Sequence, residues 1–267
     1  MKSAGFVFFL LAVGVLASPS SALCASMERG KSPAFEFVAV TDADIAHFGD
    51  FPFSRSISAT VVQRLVQVGA KAIVYKFFVD ERRDGDGQLA AGFSQIPTYL
   101  QMNLARVTEG ADGLMHASAV GPHTALASVA TQTGFVHQRE AGMGEFVETQ
   151  AQIDGRNIAS LSLLAAQEIV GEKAVVTSSA LGLGARKFSL NARSQAYCPY
   201  AHIPVPTAHP FRAVIDGSNG FLARFKDKVV VIGYMASNTP RVALGGEAPL
   251  PVHVVFLKQV ACLVSRP

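Results

Sequence analysis

A run of four β-branched residues, Val229-Val230-Val231-Ile232, constrains the fold of this chain more than any other stretch. It follows the polar turn Lys226-Asp227-Lys228 and stops at Gly233. A run with no polar alternation has no solvent-facing side, so it reads as a strand buried on both faces. Such a strand needs cover above and below, which a sheet sandwiched between helices provides and a one-sided sheet does not. The predicted class is therefore α/β, a single domain with a mixed, mainly parallel sheet covered by helices on both faces. Residues 252–264 form one candidate covering helix.

The rest of the chain fits this frame. Residues 35–41 (FEFVAVT) read as a first strand closed by Asp42 and Asp44, and FGDFPFSRS, with Gly49 and Pro52, reads as a loop. Ile57, Val61, Leu65 and Val68 then recur on one helical face, with Ser54 or Ser56 to cap the start and Gly69 to end it. Residues 72–79 (AIVYKFFV) supply a second strand, so strand, helix and strand make a parallel βαβ unit. A short helix near Leu89 and a strand over 98–107 come next. Residues 110–122 read as loop, and 125–131 as a short helix. Residues 134–138 and 146–153 read as strands, and the Asp154-Gly155 turn points to a hairpin return. Helical periodicity resumes through Leu161, Leu164 and Ile169 up to Gly171. Residues 177–210 give no clear pattern.

The N-terminus is of another kind. Met1-Lys2 precedes a 14-residue apolar run at 4–17 and small residues in SPSSALCA, the layout of a secretory signal peptide over residues 1–25. The run is shorter than the roughly 20 residues that span a bilayer core. Cleavage is the expectation, with an uncleaved N-terminal anchor as the alternative. Candidate −3/−1 pairs are Ser20/Ala22, Ala22/Cys24 and Leu23/Ala25, and the bulky Leu23 fits a lipoprotein signal at Cys24 poorly. A short linker over 26–34 and one domain over 35–267 would follow, in the periplasm or secreted. In that oxidising setting Cys198 and Cys262 either form a disulfide or remain two buried thiols. A net charge of +3, with no basic run interleaved with aromatics, gives no support for nucleic-acid binding.

Three blocks carry a family resemblance. Residues 37–81 (FVAVTDADIAHFGDFPFSRSISATVVQRLVQVGAKAIVYKFFVDE) resemble the opening of the CHASE type 2 domain, an extracytoplasmic sensory domain. Residues 134–169 (GFVHQREAGMGEFVETQAQIDGRNIASLSLLAAQEI) are similar to its middle block, and residues 225–264 to its closing block. The resemblance implies a sensor that is not itself a catalyst. Family members usually continue into transmembrane helices and an output domain, whereas this chain ends at Pro267, so a membrane-bound signalling partner is expected. Departures from the family fall where a ligand would be read. Phe51-Pro52-Phe53 replaces a tryptophan-bearing loop, Lys76 replaces an aspartate of the second strand, Glu145-Phe146-Val147-Glu148 replaces an arginine-rich piece, and Asn238 replaces an acid.

Ligands of open parallel sheets bind beyond the carboxyl ends of the strands. That rule points to Asp42 and Asp44 after the first strand, Asp80 and Glu81 after the second, and Asn238 after the central one, with Arg55 as counter-charge. Such a set suits a polar small molecule or a cation. The same residues could instead cap a helix, pair with neighbours or face solvent. Asp84-Gly85-Asp86-Gly87 lacks the closing glutamate of a calcium loop and reads as a surface turn. The seven histidines contain no i, i+4 pair, Gly182-Leu183-Gly184 lacks the third glycine of a dinucleotide fingerprint, and Ser218 is not in a GxSxG elbow, so no cofactor, metal or catalytic residue is assigned. The expected function is recognition of an extracellular small molecule or an envelope protein. The alternatives are a structural or interaction subunit of the envelope without a ligand and, with less support, a periplasmic hydrolase.

Overall fold

The computed structural model describes residues 34–111, 114–137, 146–199, 203–242 and 249–265, all within the unit Pro33–Pro267. The stretch expected to be a signal peptide, nearly all of the expected linker and residues 138–145 lie outside the described residues. Strand β1 (Phe35–Val40) leads to helices α1 (Asp42–Phe48) and α2 (Arg55–Gln67), then β2 (Ala72–Tyr75), α3 (Asp86–Phe93), β3 (Thr98–Glu109), β4 (Met115–Val120), α4 (Thr124–Ala127) and β5 (Gln132–Val136). A hairpin of β6 (Gln150–Ile153) and β7 (Arg156–Ala159) precedes α5 (Leu161–Val170). After short antiparallel ribbons come β8 (Ala208–Pro210), α6 (Phe211–Ile215), α7 (Asn219–Leu222), β9 (Val229–Tyr234) and α8 (Val252–Val264).

These nine numbered strands form one mixed, mostly parallel sheet. The β-branched run of β9 lies between β1 and β2, parallel to both, in the registers Phe37↔Val231 and Val230↔Ile73. β8 extends this parallel set beyond β1, and β3 and β5 extend it beyond β2. The far half of β3 pairs antiparallel with β4, across a register shift between Ala105 and Thr108, and β4 leads on to β6 and β7.

Alternate side chains of the central strands point to opposite faces, and each face has its own helical layer. Val38, Ile73, Leu100, Val230 and Ile232 pack with Val61, Val62 and Leu65 of α2, Leu89 and Phe93 of α3, and Phe211 of α6. Phe37, Val74, Val229 and Val231 pack with Leu161, Leu164 and Ala165 of α5 and Phe256, Leu257 and Val260 of α8. Both predicted layers are therefore present. α8 carries the further apolar side chains Val255, Cys262 and Leu263 into a third cluster, where Cys198 and Cys262 are joined by a disulfide.

Three local expectations change. Residues 115–120 are strand rather than loop, because they pair antiparallel with the far half of β3 and Met115 joins a small apolar cluster. The second strand ends at Tyr75, four residues before Val79: its ladder with β9 stops at Ile232↔Tyr75, while β9 runs on to Tyr234 beside β1 alone. Asp84-Gly85 is a turn with Asp84 and Gly87 exposed, as a surface turn requires, but Asp86, which starts α3, is buried. Asp86 is buried against Arg55 at 3.4 Å, and a Cβ on Gly85 (φ +88°) would lie 2.5 Å from the Ser56 nitrogen. In the clearly patterned parts, Ser54 Oγ accepts from Ser56 N at the start of α2, and the Asp154-Gly155 turn joins β6 to β7.

Candidate ligand cleft

The parallel strands end along one edge of the sheet, and the early end of β2 opens a gap there. Lys76 N still donates to Ile232 O at 2.8 Å, after which the chain leaves the sheet. A cleft of about 310 Å³ lies between that departure, the end of β9, the middle of β3 and the first turn of α8. Lys76, Phe77, Gln101, Asn103, Tyr234 and His253 are among its lining residues, and none of the described lining residues is acidic. Its size falls at the lower end of the range for small-molecule sites.

Among the described residues, Lys76 meets no counter-charge in this cleft. It is 4% exposed, and its Nζ lies 5.4 Å from the centroid of the Phe256 ring on α8. Among the described residues it makes no ion pair and its ammonium finds no hydrogen-bond acceptor. Burial pushes its pKa down to about 7, since a desolvated ammonium loses hydration that nothing here replaces.

His253 stands beside it and is held neutral. Its Nδ1 accepts from the Tyr234 backbone N–H at 3.2 Å, which needs a lone pair on that nitrogen and leaves the ring proton on Nε2. Burial first, then the Lys76 charge, hold its pKa well below the ordinary histidine value. Gly233 makes room for this ring, because a Cβ there would lie 2.5 Å from Nδ1 and 3.1 Å from the Phe37 ring. Gly233→Ala should therefore displace His253, cost about 2 kcal/mol in denaturant unfolding and weaken any ligand held beside it. An unchanged unfolding midpoint would show that the ring can move at no cost.

The remaining walls are rings and amides. Phe51 packs against Tyr234 and Phe77 with centroid separations of 4.8 and 5.2 Å. Gln101 and Asn103, two apart on β3 and so on the same face, share one hydrogen bond from Gln101 Nε2 to Asn103 Oδ1 at 2.7 Å. Gln101 Oε1 and Asn103 Nδ2 make no other hydrogen bond among the described residues.

The residues singled out from sequence take other positions. Asp42 accepts from both N and Oγ of Ser237, at 3.0 Å for the closest contacts, which ties α1 to the loop after β9. Asp44 is fully buried. Its Oδ2 accepts from Thr41 N and Oγ1 at 2.8 and 2.7 Å, and its Oδ1 from Arg212 N at 2.8 Å. Arg55 pairs with Asp86 between α2 and α3. Asp80 and Glu81 are exposed, Glu81 lying 3.5 Å from Arg83. Asn238 accepts from the Tyr234 hydroxyl at 2.7 Å and so adjoins the cleft rim. Ser218 caps α7 by accepting from Phe221 N. Of the six ligand candidates, Asn238 alone is hydrogen-bonded to a cleft residue among the described residues. Because Asp44 alone satisfies three donors, Asp44→Ala should cost about 2 kcal/mol in chemical denaturation. A loss of only a few tenths would mean that water replaces it.

Lys76, Gln101, Asn103 and His253 were not singled out as ligand residues from the sequence. The one signal available was a lysine inside the otherwise apolar AIVYKFFV, at a departure from the family pattern.

The cleft at the carboxyl edge of this doubly covered, mostly parallel sheet is thus lined by aromatic rings, amides and one buried lysine. Residues 7–253 match the CHASE2 domain, nearly the whole length, and the chain belongs to that family of extracytoplasmic sensory domains, which are typically non-catalytic. No curated protein and no solved structure matches the chain. The Cys198–Cys262 disulfide fits an exported domain, and no helix among the described residues is long and apolar enough to cross a membrane.

Proposed function

We propose that this protein is an exported sensory domain that binds a small molecule in the cleft around Lys76 and passes its occupancy to a separate membrane protein. The observation that carries this reading is a lysine 4% exposed, without an ion pair among the described residues, in a cleft at the carboxyl edge of the sheet. An unpaired buried ammonium lowers stability, and a ligand that pairs with it recovers that loss. The cleft is walled by separate elements, among them the chain after β2, the middle of β3, the end of β9 and the start of α8, so an occupant bridges them. Transmission requires that the occupied arrangement differ in affinity for the partner.

A thermal-shift screen of the purified protein against a broad metabolite panel tests this reading, with Val136→Trp, at a cleft-lining residue that ends β5, as a cleft-filling control. A ligand at about 100 times its Kd stabilises by ~2.7 kcal/mol, a rise of several degrees. The reading predicts at least one such rise that Val136→Trp abolishes. If every hit survives in Val136→Trp, or no compound shifts the transition, the cleft is not a ligand site. We assign the chain to the periplasm or the extracellular space through a cleaved leader, on the strength of the N-terminal apolar run and the disulfide. N-terminal sequencing of protein from envelope fractions should find a start between residues 23 and 26; a start at Met1 would favour an uncleaved anchor.

A further inference from the structure

We infer that the cleft selects a small organic monocarboxylate, its carboxylate on the Lys76 ammonium and its apolar body against the Phe51, Phe77 and Tyr234 rings. The inference rests on the small-molecule reading above and adds the ligand's class. Three independent observations lead to it.

The first is charge. Among the described lining residues Lys76 is the one cation candidate, no acid lines the cleft, and the Tyr234 N–H bond fits a neutral His253. One buried positive charge is balanced by one negative charge. A cation would meet repulsion with no carboxylate to offset it, and a dianion would leave one charge buried and unpaired. The second is the position of α8, a 13-residue helix whose first residues, Val252 and His253, line the cleft. The positive end of its dipole acts in the same sense as Lys76. The third is the wall. Phe51 bridges Phe77 and Tyr234 in a continuous aromatic surface, while Asn103 Nδ2 and Gln101 Oε1 offer a donor and an acceptor. That combination fits a flat apolar body bearing a hydroxyl, with the donor available to the second carboxylate oxygen.

A proton is coupled to the occupant. Among the described residues, the groups facing Lys76 are His253 and Phe256 on α8, Tyr234 on β9, and Gln101 and Asn103 on β3, and none of these supplies a negative charge near neutral pH. A bound carboxylate favours the ammonium, so binding above neutral pH takes up a proton.

Isothermal titration calorimetry of the protein expressed from its full chain, in two buffers of different ionisation enthalpy, tests this with 4-hydroxybenzoate and phenylacetate as probes. 4-Hydroxybenzamide and inorganic phosphate serve as neutral and multivalent controls. The expected result is that at least one acid binds about tenfold or more tightly than the amide and phosphate. Its binding should take up close to one proton at about pH 8, and its affinity should fall as pH rises past neutrality. Lys76→Met, which replaces a buried charge by an apolar chain of similar length and is expected to fold, should lose that preference. Equal affinity for acid and amide, tighter binding of phosphate, retention of acid binding in Lys76→Met, or no binding of either acid would each overturn the inference. If a neutral compound binds and Val136→Trp blocks it, the sensory reading stands and the carboxylate falls. If Val136→Trp blocks nothing, both fall.

Discussion

Raising the pH from about 7 to about 9 is expected to stabilise the ligand-free protein by about 2 kcal/mol through one residue, and Lys76→Met should remove that gain. The folded-state pKa of Lys76 is pushed down to about 7 by burial, while an unfolded lysine titrates near ~10.4. Below the lower value both states carry the proton and the folded protein bears the full cost of an unpaired ammonium. Between the two values the unfolded chain binds more protons than the folded one, so stability rises with pH across that window. Other groups titrate there too, which makes the difference between wild type and Lys76→Met the quantity to read from urea unfolding. The variant should be the more stable of the two at about pH 6, and its advantage should shrink steadily toward pH 9. An advantage independent of pH would mean that Lys76 is paired in the folded protein.

The second large effect belongs to the disulfide. Cys198 and Cys262 are 64 residues apart, and their bond ties α8 to the ribbon segment Gln195–Tyr197 through a shared apolar cluster. Removing that cross-link releases loop-closure entropy to the unfolded chain worth up to about 4 kcal/mol in the chain-entropy model. Cys198→Ala/Cys262→Ala should therefore lower the melting temperature by roughly 10 °C, and reduction of the wild type by a similar amount. The helix affected is the one that carries His253 and Phe256 to Lys76, so any cleft ligand should also bind more weakly in the reduced protein. A melting temperature unmoved by reductant would show that the two sulfurs are not bonded in the isolated protein.

The architecture was legible in the sequence where a local pattern and a tertiary requirement agreed. Val229-Val230-Val231-Ile232 admits no exposed face, and the structure puts that run between β1 and β2 with helices on both sides. The helix over 252–264 and the turn at Asp154-Gly155 follow from period and turn chemistry alone, and both occur at those residues. Legibility failed where the deciding contact is remote. Residues 115–120 alternate weakly because β4 belongs to the sheet's more exposed end, where few apolar residues are needed. The acids after the strands have the composition of a site, but what each one meets is set by partners far along the chain: Ser237 for Asp42 and Arg212 for Asp44.

Lys76 shows the same limit from the opposite side. In sequence it is a single polar residue in AIVYKFFV, where a cation at the end of a strand ordinarily reaches solvent. It becomes significant because β2 ends one residue earlier and α8, arriving from the far end of the chain, covers it with Phe256 and His253. No local pattern contains that information. The aromatic wall is equally non-local, since Phe51, Phe77 and Tyr234 come from three separate segments.

The most direct test of the account is to titrate Lys76 itself, following its side-chain carbon resonance beside the amine by NMR in protein labelled at lysine and assigned with Lys76→Met. The account predicts a transition at about 7 in the free protein, moving upward by at least one pH unit when 4-hydroxybenzoate is added in excess. A transition near ~10.4 that no carboxylate moves would contradict it, because the lysine would then be solvated or already paired and the cleft would have no charge to offer a ligand.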